Sequence, residues 1–231
     1  MSENDMIKSF INEFEKRPTQ SLNNSMLQMV FEELENKNQE DTHVIVERIL
    51  MVLKTHYPNT ENFSGFLFRA EFAKTFSWVR ILNIVFIYEI ISFANKDEIL
   101  SIASGNCFIE RIIEVLGGII TSSDPMISHC DFNAFHKNFQ KLDAVEAVKQ
   151  NPTNVLFICW PSYQNPYAYE ALKEFKGNKF IYIGEDKYGC CGSPLFFNLL
   201  NDEWELKKQI EIECWYTIHD RMEFYERKIK L

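Results

Sequence analysis

The chain has no excess of positive charge, no apolar run long enough to cross a bilayer, no repeated cysteine pair and no glycine-rich dinucleotide fingerprint. Each absence closes off a class of function. Lys and Arg number 24 against 33 Asp and Glu, a formal net charge of -9, so no general electrostatic grip on nucleic-acid phosphates is expected. Met1 to Phe10 is polar and charged and lacks the apolar core of a signal peptide, so the expectation is a cytoplasmic rather than an exported protein. The most apolar stretch, Ile81 to Phe93, follows Arg80, is interrupted by Asn83 and Glu89 and falls short of a spanning length. It reads as a buried helix, and no membrane partner is expected. The 6 cysteines form no metal-ligand spacing, and the adjacent Cys190 and Cys191 cannot both face one tetrahedral ion without strain, so no metal site is expected. There is no internal repeat, low-complexity tract or linker.

What is present is a globular composition, 46% apolar and 25% charged over 231 residues, enough for one large domain or a core with an appendage. From Ser21 to about Asn95 the pattern is helical. Met26, Met29, Val30 and Leu34 recur at helical intervals, as do Val44, Val46, Ile49 and Val52, and the loop from Tyr57 to Gly65 separates this pair from a later one over Arg69 to Phe93. Residues 1–95 are therefore expected to form a helical region that serves as a lid or a packing subdomain, and 96–231 the main domain.

After Asp97 short apolar runs alternate with helical stretches, the texture of βαβ units and a parallel sheet. The runs are Ile99 to Ala103, Gly118 to Ser122, Asn154 to Trp160 and Lys179 to Gly184, with a weaker strand before Asp143. The helical stretches between them are Phe108 to Leu116, Ala144 to Gln150, Pro166 to Phe175 and Pro194 to Glu203. Two longer alternating segments, Lys207 to Trp215 and Arg221 to Lys228, predict a terminal hairpin. The fold class is thus α/β, a Rossmann-like, mostly parallel sheet that ends in an antiparallel hairpin, with an N-terminal helical region.

The first run ends in the small residues Ser101 to Cys107, where a ligand's polar tail can approach the backbone at a helix N-terminus. Gly105 is the only glycine in that turn, and Ala103 lies beside it; a tight βα turn explains the pattern equally well. Asp124 lies about 20 residues beyond Gly105, the spacing of an acid that binds ribose hydroxyls, although an Asp before Pro also makes Asx turns. Asp143 stands where a third strand would deliver an acceptor to adenine, or where it would N-cap the next helix with Glu146 closing a capping box. Trp160, Pro161 and Tyr163 follow the fourth run, the edge that faces the crevice in doubly wound sheets. Their rings offer a face to a planar or cationic group, or Trp160 simply covers the sheet edge.

Phe157-Ile158-Cys159-Trp160-Pro161-Ser162-Tyr163 with Ala168-Tyr169-Glu170-Ala171-Leu172 resembles the Cys-Trp-Pro-Pro segment and following helix of an uncharacterised class I S-adenosylmethionine-dependent methyltransferase-like family. Tyr182-Ile183-Gly184-Glu185, Gly189-Cys190-Cys191-Gly192 with Phe196-Phe197, Glu203-Trp204-Glu205, and Trp215 leading to Ile218-His219-Asp220-Arg221 match in order, and the resemblance runs from about Ile99 to Lys228. It implies S-adenosylmethionine as cofactor, Gly105 in its loop, Asp124 at the ribose and Asp143 near adenine. It names no methyl acceptor. Where the family loop reads acid, residue, Gly, residue, Gly, residue, Gly, this chain has Ser101, Ala103, Gly105 and Cys107. Trp160 also stands where amino-group methyltransferases carry an Asn or Asp that accepts a hydrogen bond from the target amine, so nucleobase N-methylation is not predicted.

The reading is therefore a methyltransferase of unknown substrate. A base, if one is needed, would be His219 or Glu185, although His219 also suits a structural place in the hairpin connection. The alternative is a binding or scaffold protein that keeps the fold without catalysis.

Overall fold

The computed structural model describes residues 32, 34, 35, 37–60, 69, 72, 73, 79–125 and 136–229. Its helices are α1 (Gln39–His56), α2 (Ile84–Ala94), α3 (Phe108–Val115), α4 (Ala144–Gln150), α5 (Tyr167–Glu174) and α6 (Pro194–Glu203). Its strands are β1 (Ile99–Ile102), β2 (Ile120–Ser123), β3 (Phe139–Gln140), β4 (Val155–Cys159), β5 (Lys179–Gly184), β6 (Trp204–Glu211) and β7 (Arg221–Arg227).

These strands form one 7-stranded sheet in the order β3-β2-β1-β4-β5-β7-β6. The β3 to β5 ladders are parallel, whereas β7 runs antiparallel to both β5 and β6. The mostly parallel sheet with a terminal hairpin is thus the fold that the sequence pattern predicts. The chain leaves β1 toward β2 on one side and β4 toward β5 on the other, so a switch point lies between β1 and β4, where such sheets open a crevice at their carboxyl edge.

The strand pleat sorts the apolar residues into two layers. Ile99, Val155, Phe157, Ile181 and Ile183 face a layer that holds Phe108, Ile109 and Ile112 of α3, together with Val46, Ile49 and Leu53 of α1 and Ile84 and Ile87 of α2. Leu100, Ile102, Leu156, Ile158, Phe180 and Tyr182 face the layer built by α4, α5 and α6. The continuous apolar runs of β1, β4 and β5 follow from burial on both faces. The two helices before β1 share the core of the sheet's first face.

Several boundaries differ from the sequence pattern for local reasons. β1 stops at Ile102 because Ala103 turns to φ 53. β2 begins at Ile120, not Gly118, because the Gly118 N–H closes α3 on the Ile113 carbonyl at 2.9 Å. The apolar stretch expected to be helical from Ile81 starts its helix only at Ile84, where the Asn83 side chain accepts the Val85 N–H at 2.9 Å as an N-cap. β6 runs Trp204–Glu211 rather than 207–215. β7 begins at Arg221, opposite Glu211, so Ile212 to Trp215 have no strand to pair with and Trp215 turns into the core against Phe72. Met26, Met29 and Val30 and the second half of the loop to Gly65 lie outside the described residues. Among the described residues no helix is long and apolar enough to cross a membrane.

On the second face, Phe180 stands among Phe196, Trp204 and Tyr225 at centroid distances of 6.1, 5.7 and 5.9 Å. Phe180→Ala is expected to cost about 3–5 kcal/mol in urea unfolding, whereas Leu206→Ala, on the exposed side of β6, is expected to change stability by less than about 0.5 kcal/mol.

Candidate functional site

The loop after β1 is built from alternating left-handed residues. Ala103, Gly105 and Cys107 have φ of 53, 57 and 63, at the three positions where the resemblance expects glycine. Ala and Cys pay about 1–2 kcal/mol each for this conformation, and a hydrogen-bond network holds them to it. Ser104 donates both its N–H and its hydroxyl to the Ser123 carbonyl, at 3.1 and 3.0 Å. Gly105 donates its N–H to Asp124 Oδ2 at 3.0 Å. The Cys107 N–H reaches the Ser104 carbonyl at 3.0 Å, its Sγ meets Ser122 Oγ at 3.4 Å, and the Phe108 N–H goes to Asn106 Oδ1 at 3.2 Å. A Cβ at Gly105 would meet nothing within 4 Å, so the loop presents bare backbone to open space. The amides of 104, 105, 107 and 108 are all spent inside the protein.

Ser101 lacks the acid that the resemblance expects, but α3 supplies a carboxyl to the same place. Glu110 is buried and accepts the Ser101 hydroxyl at 2.6 Å. Burial raises its pKa, with Ser101's hydrogen bond acting against the shift. Asp124, directly after β2, meets the β1 loop through Gly105. Tyr167, in the first turn of α5, belongs to the same edge: its hydroxyl accepts the Ser162 N–H at 3.1 Å, and burial, with smaller contributions from the charges of Asp124 and Cys159, raises its pKa. Asp143 caps α4, where its Oδ1 accepts the N–H groups of Val145 and Glu146, each at 2.9 Å.

At the other half of the edge, the segment after β4 is zipped to the turn after β5. The Trp160 N–H bonds the Ile183 carbonyl at 2.7 Å, Gly192 bonds Pro161 at 2.9 Å, and Gln164 bonds Gly192 at 2.7 Å, around a bridge between Ser162 and Cys191. Pro161 is buried and Tyr163 is exposed. Trp160 sits at φ 54, its indole N–H donates to Asp220 Oδ1 at 2.7 Å, and the Arg69 guanidinium lies over its ring at 4.7 Å. One face of Trp160 is thereby covered by the region that precedes β1.

The two proposed bases sit differently from each other. Glu185 is buried, and its two oxygens accept the His219 N–H at 3.1 Å and the Cys190 N–H at 2.8 Å. Gly189 permits this wrap, since a Cβ there would lie 2.3 Å from Glu185 Cβ. The His219 side chain is 85% exposed, with Nδ1 3.9 Å from Glu185 Oε1. Asp220, next to it, is 1% exposed, and its Oδ2 has no hydrogen-bond partner among the described residues.

Glu110, Arg69 and Tyr167 join this edge without having been expected there, and Asp220 was expected only as the neighbour of His219. Glu110 could have been suspected as an acid inside an otherwise apolar helical face; the others carry no local signal. Around the edge, burial holds the thiols of Cys107 and Cys191 up at about 12 and that of Cys214 at about 11. At neutral pH they are protonated, which removes them as nucleophiles.

No family model matches the chain, and no curated protein matches it in sequence. Solved structures are similar to it at low identity. The magnesium protoporphyrin IX methyltransferase ChlM from Synechocystis PCC 6803, with bound SAM, shares 8% identity over 63% of this chain and 77% of its own, at a TM-score of 0.45. The N-methyltransferase NodS from Bradyrhizobium japonicum WM9, with S-adenosyl-L-homocysteine, shares 9% over 63% and 85%, at 0.47. The Burkholderia thailandensis 1,6-didemethyltoxoflavin-N1-methyltransferase shares 10% over 62% and 77%, at 0.45. Likeness this remote leaves the chemistry to the chain's own residues.

Asp220 has a thermodynamic signature. Burial first, with the Glu185 charge adding to it, raises its pKa from 3.8 to about 6, against the Trp160 hydrogen bond and the charges of Arg69 and His219. A carboxyl raised on folding adds stability that is complete below the unfolded value and is lost as pH rises through the folded one. Asp220 is therefore expected to make stability fall as pH rises from about 4 to about 7, by an amount on the order of 3 kcal/mol. Urea unfolding across that range should show the slope in the wild type and a flatter profile in Asp220→Asn.

Proposed function

We propose that this chain is an S-adenosylmethionine-dependent methyltransferase whose acceptor is still to be identified. The observation that carries the reading is the Gly105 N–H on Asp124 Oδ2 at 3.0 Å. It joins a bare-backbone loop to an acid at the carboxyl edge, beside the switch point. A carboxylate accepts at about four directions, so anchoring Gly105 does not prevent Asp124 from receiving ribose hydroxyls. The amides of residues 104, 105, 107 and 108 are already satisfied. That leaves little to clamp a pyrophosphate and suits a nucleoside that carries none, which favours this cofactor over a dinucleotide.

In this reading Ala103 and Gly105 line the cofactor's polar tail, Asp124 holds the ribose and Asp143 keeps its cap while facing adenine. Trp160, Pro161 and Tyr163 edge the acceptor site. The bound cofactor supplies a methyl group on a cationic sulfur. The protein's own part is to align the acceptor with that methyl and to exclude water. The Arg69 contact with Trp160 supports a closing role for residues 1–95 over that edge. The reading carries with it a cytoplasmic setting.

Calorimetric titration with S-adenosylmethionine and S-adenosylhomocysteine tests it. Both are expected to bind, and Asp124→Ala is expected to weaken both by roughly 10- to 100-fold, the worth of a hydrogen-bonded charge. Absence of binding by the wild type at millimolar ligand would favour the non-catalytic scaffold.

A further inference from the structure

Asp220 differs from the other acids at the carboxyl edge. Glu185 has both oxygens on backbone N–H groups, and Asp124 Oδ2 holds Gly105. Among the described residues, Asp220 uses Oδ1 on the Trp160 indole and keeps Oδ2 buried without a hydrogen-bond partner. A purely structural tie to Trp160 needs one acceptor oxygen, and an asparagine would provide it without placing a carboxyl in a desolvated site beside Glu185. Buried acceptors are normally satisfied, so an orphaned carboxylate oxygen at a crevice edge points to a hydrogen-bond donor that arrives with a ligand.

We propose that Asp220 Oδ2 faces the methyl group to be transferred and receives the proton of a nitrogen nucleophile, so that the acceptor is an amine or other N–H compound. The inference rests on the methyltransferase reading. Trp160 cannot accept a hydrogen bond from an amine, but it delivers Asp220 to the end of β4, where such an acceptor is wanted. In the step, the nitrogen lone pair forms the N–CH3 bond as the S–CH3 bond breaks. That bond's electron pair stays on sulfur to give S-adenosylhomocysteine, and the N–H proton passes to Oδ2. A nitrogen nucleophile attacks with an existing lone pair, and an aromatic or amide-type N–H is strongly acidic once its nitrogen is methylated, so a buried carboxyl raised to about 6 can take that proton, whereas an alcohol needs a stronger base. The titratable groups that act on Asp220 are Glu185, Arg69 and His219, and its own charge is felt by Cys159, Cys191, Cys214 and Tyr182.

Sinefungin, in which a carbon-borne amine replaces the sulfonium methyl, puts an ammonium where the methyl would stand. Its affinity relative to S-adenosylhomocysteine, measured by calorimetry on the full chain, tests the proposal without knowledge of the acceptor. At pH 7.5 the wild type is expected to prefer sinefungin by about tenfold, the worth of a charge-assisted hydrogen bond. The preference should disappear in Asp220→Asn, which keeps the Trp160 tie, and should shrink in the wild type at pH 5. A preference that survives both the substitution and acid overturns the proposal, as does equal binding of the two ligands by the wild type. If neither ligand binds the wild type, the methyltransferase reading fails and this inference fails with it.

Discussion

Carboxylates hold together the carboxyl edge of this sheet, and the rest of the site depends on those ties. Asp124, at the end of β2, takes an N–H from the loop after β1. Glu185, at the end of β5, takes one from its own turn and one from the segment that enters β7. Asp220, just before β7, takes the indole N–H that leaves β4. Each acid ties a strand end to a loop that belongs to another strand. The edge is therefore fixed by charge-assisted hydrogen bonds where ladder bonds have run out.

The same arrangement sets the electrostatics. At this edge burial first, with the Glu185 charge adding to it, raises the proton affinity of one acid. That group is Asp220, up at about 6, while nearby thiols are held protonated. The β1 loop shows a related economy. Its left-handed residues at 103 and 107 are not glycines, and their strain is met by the hydrogen bonds that Ser104 donates to the Ser123 carbonyl and that the Cys107 thiol makes to Ser122 Oγ.

The region before β1 is not merely appended. Val46, Ile49, Ile84 and Ile87 fill the layer that α3 also fills, and Arg80 anchors the region by donating to the Tyr57 carbonyl at 2.9 Å and to Glu213 at 2.7 Å. Arg69 reaches the ring of Trp160, so residues far apart in sequence meet at the crevice. Among the described residues, α1 and α2 share one packed core with the first face of the sheet.

The sequence by itself determined the alternation of strand and helix, because two-sided burial writes apolar runs into β1, β4 and β5, and because a cap such as Asp143 acts within a few residues. It also made Gly105 and Asp124 legible as a pair, since a parallel crossover has a nearly fixed length. Only the tertiary structure decided where β6 ends, because that depends on where β7 begins. Only it brought Glu110 to Ser101, Arg69 to Trp160 and Asp220 to the end of β4. Those meetings span up to about ninety residues and leave no local periodicity, since a hydrogen bond between distant strands constrains geometry and not spacing.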